Sequence, residues 1–166
     1  MEVFGGYSFD RMTMTNPSFS SNMNGGMGSV GYNFRPWLQL IGDSSYNFVT
    51  TSGTKYVLWG NHFGARYFYR RHNRWALTPF VEGLVGGSRF DTSVTGTYGY
   101  KTSQNCISYR AGGGVDFHWG GRWAVRLINV DYYRTSFSAN GISATQNNYW
   151  ASAGVVLRLF GSAATD

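Results

Sequence analysis

The sequence predicts an all-β protein: an eight-stranded antiparallel up-and-down transmembrane β-barrel with three short periplasmic turns and four longer extracellular loops. Three observations carry that expectation. Apolar and polar residues alternate over runs of about ten residues, longer than the five or six of an ordinary strand, and helical periodicity is poor. The faces that hold charge also hold most of the strand glycines, while the opposite faces carry Tyr, Phe, Trp, Val and Leu. Four tryptophans, Trp37, Trp75, Trp119 and Trp123, lie beside the three shortest connections.

The strands follow in order. An irregular first strand covers about residues 2–12. Over 27–35, Gly28, Val30, Tyr32 and Phe34 oppose Ser29, Gly31, Asn33 and Arg35. A less regular strand over 37–48 precedes one over 57–68, in which Val57, Trp59, Phe63, Ala65 and Tyr67 oppose Gly60, His62, Gly64 and Arg66. The fifth covers 77–90. The sixth is the cleanest: over 107–119 the odd positions are apolar or small, Ile107 to Trp119, and the even ones are Ser108, Arg110, Gly112, Gly114, Asp116 and His118. In the seventh, 123–134, Arg126 and Asp131 fall on opposite parity, which calls for either a bulge near Ile128 or an irregular upper end. The eighth, 151–159, sets Ala151, Ala153, Val155, Leu157 and Leu159 against Ser152, Gly154 and Arg158.

Short connections centre on Arg35-Pro36, Arg71-His72-Asn73-Arg74 and Gly120-Gly121. Longer ones, rich in Ser, Thr, Asn and Gly, cover about 13–22, 49–55, 91–104 and 135–147. Strict alternation of short and long describes a meander, and an even strand number lets the first and last strands pair and remove the edges.

The remaining question is which face is inside. A barrel of eight strands is barely wide enough for side chains, so glycine-rich faces suit the interior. The bulky face in water would be an exposed apolar patch too large for a monomer, so it needs lipid. Trp37, Trp75, Trp119 and Trp123 at one height form a membrane-interface girdle. Asp10, Asp43, Arg66, Glu82, Arg110, Asp116, Arg126 and Arg158 then have the parity to face inward as a charged network.

Composition excludes several classes. Only 13% of residues are charged, and no run of 18 apolar residues could form a transmembrane helix. The net charge of +6 comes from twelve arginines and two lysines scattered along the chain, and no basic run exceeds Arg70-Arg71, so nucleic acid is not expected. Cys106 is alone, so neither an intrachain disulfide nor a cysteine metal site is possible. His62, His72 and His118 show no ligand spacing, so no metal and no cofactor is expected. Met1-Glu2-Val3-Phe4 leads straight into patterned sequence, as a mature chain without a signal peptide does.

Several stretches carry a family resemblance: the opening Glu2-Val3-Phe4-Gly5-Gly6-Tyr7-Ser8, Thr78-Pro79-Phe80-Val81-Glu82-Gly83-Leu84-Val85-Gly86-Gly87, Gly112-Gly113-Gly114-Val115-Asp116, and Arg126 with Asp131-Tyr132. Together they resemble the OmpA-like eight-stranded outer-membrane β-barrel domain. The closing strand, with Ser152, Gly154, Leu157, Leu159 and Phe160, is similar to the signal by which the outer-membrane assembly machinery recognises its clients. The resemblance implies a bacterial outer-membrane location, with outer-membrane lipid and lipopolysaccharide as surroundings. It covers residues 1–161 as one barrel domain, followed by a short tail, 162–166. No peptidoglycan-binding domain is expected in this stretch, so it gives no support for a role in tethering the cell wall.

Three functions are open at this stage. The interior charges can form an ion-pair network that plugs the barrel, leaving a structural or loop-mediated binding or adhesion role. The Tyr-rich stretch Thr95-Gly-Thr-Tyr98-Gly-Tyr100-Lys101 is then the candidate surface for a protein partner. A swap of partners in the same network would instead open a narrow pore, which a positive excess inside would make anion-leaning. A lipid A-modifying enzyme would need His and Ser activated together on the lipid-facing surface. His62 and His118 have interior parity and His72 lies in a turn, so no catalytic residue is expected.

Overall fold

Alternation fixes which way each side chain points, and eight repeats of it close on themselves. The computed structural model describes residues 1–15, 18–51, 53–69, 76–94, 101–139 and 142–159. The strands are β1 (Glu2–Thr15), β2 (Ser18–Arg35), β3 (Leu38–Thr51), β4 (Thr54–Phe68), β5 (Leu77–Val94), β6 (Lys101–Gly120), β7 (Trp123–Ala139) and β8 (Ile142–Arg158). Each pairs antiparallel with its neighbours in sequence, and β1 pairs with β8, leaving no edge. From Tyr32 the paired residues run through Leu40, Ala65, Gly83, Ala111, Tyr132, Tyr149 and Arg11, and return to β2 at Asn22. That is a stagger of ten residues, and it tilts the strands by about 35–45° from the barrel axis.

At one end the connections are tight. Residues 36–37 and 121–122 are two-residue turns. Gly120 and Gly121 take φ of 129° and 59°, which side chains with a Cβ rarely adopt. The expected turn Arg71–Arg74, Trp75 and the stretch Thr95–Tyr100 lie outside the described residues.

That other end differs from expectation. Much of the four polar connections is paired strand: the ladders run to Thr15↔Ser18, Thr51↔Thr54, Ser93↔Lys101 and Ala139↔Ile142. Once a hairpin rises beyond the membrane, both of its faces meet water and carry Ser, Thr and Asn. The alternation that marks a strand disappears, while the backbone still needs its hydrogen bonds.

The irregularity near Ile128 is present. Pairing jumps from Val115↔Ile128 to Asp116↔Arg126, and from Arg126↔Gly154 to Asn129↔Ser152. Leu127 and Ile128 both face outward, which resets the parity and turns Arg126 and Asp131 inward together.

The outer face is apolar in a band. On β7 it runs from Trp123 to Tyr132, ten residues that rise about 25 Å at this tilt, the height of the lipid-facing band of an outer-membrane barrel. Ser44 and Asn61, paired across β3 and β4 and both exposed, interrupt it near mid-height. The inner face is not polar throughout, as the sequence had suggested. Towards the hairpin end Met12, Met23, Leu58 and Trp150 are buried, with Val49, Tyr56 and Phe90 packed against their cluster.

Candidate functional site

The barrel interior gathers the chemistry. Six carboxylates point into it, Glu2, Asp10, Asp43, Glu82, Asp116 and Asp131, all buried. Four guanidiniums meet them, Arg66, Arg110 and Arg126, which are buried, and Arg158, which is partly so. Burying such groups is tolerable only where each is paired and hydrogen-bonded.

The network is layered. Near the turns, Arg158 Nε donates to Glu2 Oε1 at 3.1 Å and Gln39 Nε2 donates to Glu2 Oε2 at 2.8 Å. His118 Nε2 lies 3.2 Å from Arg158 Nη2 and 2.9 Å from the Thr78 hydroxyl. Above it, Arg126 grips Asp116 with two bonds of 2.8 and 3.1 Å, and its guanidinium stands 4.6 Å from the ring centroids of both Phe4 and Phe80. Arg66 donates from Nε to Glu82 at 2.7 Å and its guanidinium also stands over the Phe80 ring, 4.5 Å from the centroid. Cation–π contact thus fills the space between ion pairs with attractive packing.

Arg110 is the hub at mid-height. Its Nε donates to Asp131 Oδ2 at 3.2 Å, its Nη1 donates to Asp43 Oδ2 at 3.1 Å, and Glu82 stands 3.9 Å from Nη2. The guanidinium rests 3.8 Å from the Trp150 ring centroid. Gly112 makes the approach possible: a Cβ there would lie 2.1 Å from the Val130 carbonyl oxygen and 2.3 Å from Asp131 Oδ1.

Asp43 also meets His62 Nδ1 at 3.2 Å, and His62 Nε2 meets the Ser108 hydroxyl at 2.8 Å. Asp, His and Ser in that order are the parts of an activated nucleophile. Here Ser108 is 0% exposed and its hydroxyl is shared with Ser88, so no acyl group can reach it. Its chemistry is that of a hydrogen-bonded filler continuing through Ser88 to Tyr133.

All eight residues expected in the interior lie there. Seven of them, Asp43, Arg66, Glu82, Arg110, Asp116, Arg126 and Arg158, join the ion pairs. Asp10 does not: it is 0% exposed, and neither carboxylate oxygen has a hydrogen-bond partner. Glu2 and Asp131 complete the network and were missed. The bulge hid the parity of Asp131, and Glu2 opens an irregular strand. Among the described residues six carboxyl side chains face four arginines in the interior, so the expected positive excess inside is not what the side-chain count gives. Trp37, Trp119 and Trp123 stand exposed on the outside at the turn end. Among the described residues, no group of three His, Cys, Asp or Glu side chains is arranged to hold a metal ion.

No family model matches the chain, and no curated protein matches it by sequence. Its fold is nevertheless shared. Neisserial surface protein A superposes with a TM-score of 0.73 at 16% identity, over 95% of this chain and 96% of the other. Ail, the attachment invasion locus protein of Yersinia pestis, gives 0.64 at 14% identity, over 94% and 97%. The N-terminal β-barrel domain of OprF from Pseudomonas aeruginosa gives 0.53 at 13% identity, over 94% and 96%. The architecture is that of the small eight-stranded outer-membrane barrels.

Proposed function

We propose that this protein is a resident of the bacterial outer membrane whose role is structural or interaction-mediating, with a closed interior and a binding surface on its extracellular hairpins. The observation that carries this reading is the state of the charges at mid-barrel. The side chains of Asp43, His62, Arg110 and Asp131 are 0–1% exposed, so no water molecule fits alongside them. A path for ions would have to break bonds that hold buried charge, at several kcal/mol each. The outward apolar band supports the lipid environment, and the hairpins that continue beyond it supply a rigid surface for recognition.

The name of the Yersinia neighbour, an attachment and invasion protein, and its complex with the heparin analogue sucrose octasulfate fit a surface-binding role for such a scaffold. In this reading β8 is the strand offered to the assembly machinery. The non-enzymatic assignment rests on the burial of the Asp43–His62–Ser108 chain.

The test is reconstitution of the refolded chain in planar bilayers. Heat-modifiable migration in gel electrophoresis should accompany refolding in detergent, and ion flow should not exceed that of lipid alone. Stable single-channel events would refute the closed interior, and anion preference in them would contradict the interior side-chain count as well.

A further inference from the structure

The lipid-facing band is broken at one level of the wall. Gly5, Gly28, Ser44, Asn61 and Gly87 are paired in turn across β1 to β5, and all are exposed on the outer face. At roughly 4.8 Å per strand they make a stripe about 19 Å long without a bulky side chain. Large residues border it. Tyr46 and Trp59 pack edge to face just above Ser44 and Asn61, with ring centroids 4.8 Å apart, and Leu40 and Phe63 stand exposed below. Gly42, level with Phe63, leaves a hollow beside that ring, which is 67% exposed.

A single chain gives the stripe no purpose. Neither the Ser44 hydroxyl nor the Asn61 amide hydrogen-bonds to another described residue. Hydrocarbon supplies no donor or acceptor, so in a lone barrel the polar pair is a cost. The outward glycines are not demanded by the barrel's own packing either. A Cβ on Gly5 would meet nothing within 4 Å, and one on Gly28, Gly42 or Gly87 would meet nothing nearer than 3.7 Å. On the inward Gly6, Gly25, Gly64 and Gly86 it would lie within 2.3 Å of a backbone oxygen. Glycine weakens a strand, and where the fold does not require it, it marks the close approach of another backbone.

We propose that the outer face of β3 and β4 is the interface of a homodimer, with a twofold axis along the membrane normal between the two strands. Every copy enters the membrane in one orientation, so this axis keeps each residue at its own height and sets β3 of one copy against β4 of the other. Ser44 and Asn61 differ in height by about 3 Å at the barrel's tilt, within side-chain reach. The Asn61 amide of each copy donates to the Ser44 hydroxyl of the other, and each Phe63 ring lies over the other copy's Gly42 hollow. Gly28 and Gly87 keep the flanking strands clear, as small residues do where membrane segments touch. The partner is a second copy because this surface complements itself: under one axis each donor meets an acceptor and each ring a hollow. The inference goes beyond the functional reading above but rests on its membrane location.

Sedimentation equilibrium of the full chain refolded in neutral detergent, over a range of protein-to-detergent ratios, tests it. The mass should rise to that of a dimer as the ratio increases. Asn61→Leu and Gly42→Leu should each weaken association about tenfold, while Val130→Ala on β7, across the barrel, leaves it unchanged. Both leucines point outward, so both variants should keep the heat-modifiable gel shift. At dilutions where the chains are separate, Asn61→Leu should also make the barrel more stable, the opposite of what loss of a residue needed for folding would do. A monomer at every ratio, or association that neither leucine weakens, overturns the interface. An equal loss with Val130→Ala would mark unspecific contact and overturn it too. A chain that never forms the heat-modifiable species refutes the membrane reading instead.

Discussion

Replacing Arg110 by Met tests whether paired charge holds the barrel's centre. The substitution keeps most of the side-chain volume and its contact with Trp150, but removes the cation facing Asp131, Asp43 and Glu82. The three carboxylates do not suffer equally. Asp43 keeps His62 at 3.2 Å and Glu82 keeps Arg66 at 2.7 Å. Asp131 keeps only the Asn129 amide, at 3.2 Å. The loss should therefore be that of one orphaned buried carboxylate, about 3–5 kcal/mol, rather than three times that figure. Equilibrium urea unfolding of the refolded barrel in detergent micelles, followed by tryptophan fluorescence, reads it as a lower midpoint at unchanged slope. Adding Asp131→Asn in the same chain removes the orphaned charge and should recover about half the loss, a non-additivity that marks the direct pair. A cost below about 1 kcal/mol for Arg110→Met, or strict additivity in the double variant, would refute the reasoning.

Two more predictions use the two faces of the wall. Gly112→Ala forces a Cβ to within 2.1 Å of the Val130 carbonyl oxygen and should cost about 2–3 kcal/mol, whereas Gly5→Ala, with nothing within 4 Å and an outward face, should be near neutral in the same unfolding assay. Asn61→Leu exchanges an amide on the lipid-facing band for an apolar side chain and should stabilise the barrel in lipid vesicles by about 1–2 kcal/mol. Destabilisation would show that Asn61 has a partner within the membrane.

What could be read from sequence follows from where period two survives. β6 was legible almost residue by residue because lipid on one side and a narrow interior on the other impose opposite chemistry at every step. The Arg126–Asp131 parity clash pointed to an irregularity in β7, since neither charge can face lipid within the apolar band, but it did not decide between a bulge near Ile128 and an irregular upper end. The hairpin arms were not legible: the residues of Thr54↔Val94 and Thr51↔Thr54 meet water on both sides, and nothing in their side chains reports the ladder. Parity also sorted inside from outside without saying who pairs with whom. It could not place Glu2 beside Arg158, or show that Met12 and Met23 fill the upper interior, because both depend on closure and stagger.

Closure is also what the network secures. Its links join residues far apart in the chain: Arg110 with Asp43 is separated by 67 positions, and Arg158 with Glu2 by 156. Such contacts are lost to loop entropy until the intervening hairpins have formed, so they cannot guide the early pairing of β1 with β2 or β6 with β7. Local alternation and tight turns must do that. The Glu2–Arg158 pair spans the seam between β1 and β8, the one interface not joined by a hairpin, and forms only when the cylinder shuts. Before then each interior carboxylate and arginine would face water or hydrocarbon, and the hydrocarbon option is strongly unfavourable. The charged interior therefore penalises a half-open barrel in the membrane and favours the closed one, which gives the network a structural purpose independent of any conduction.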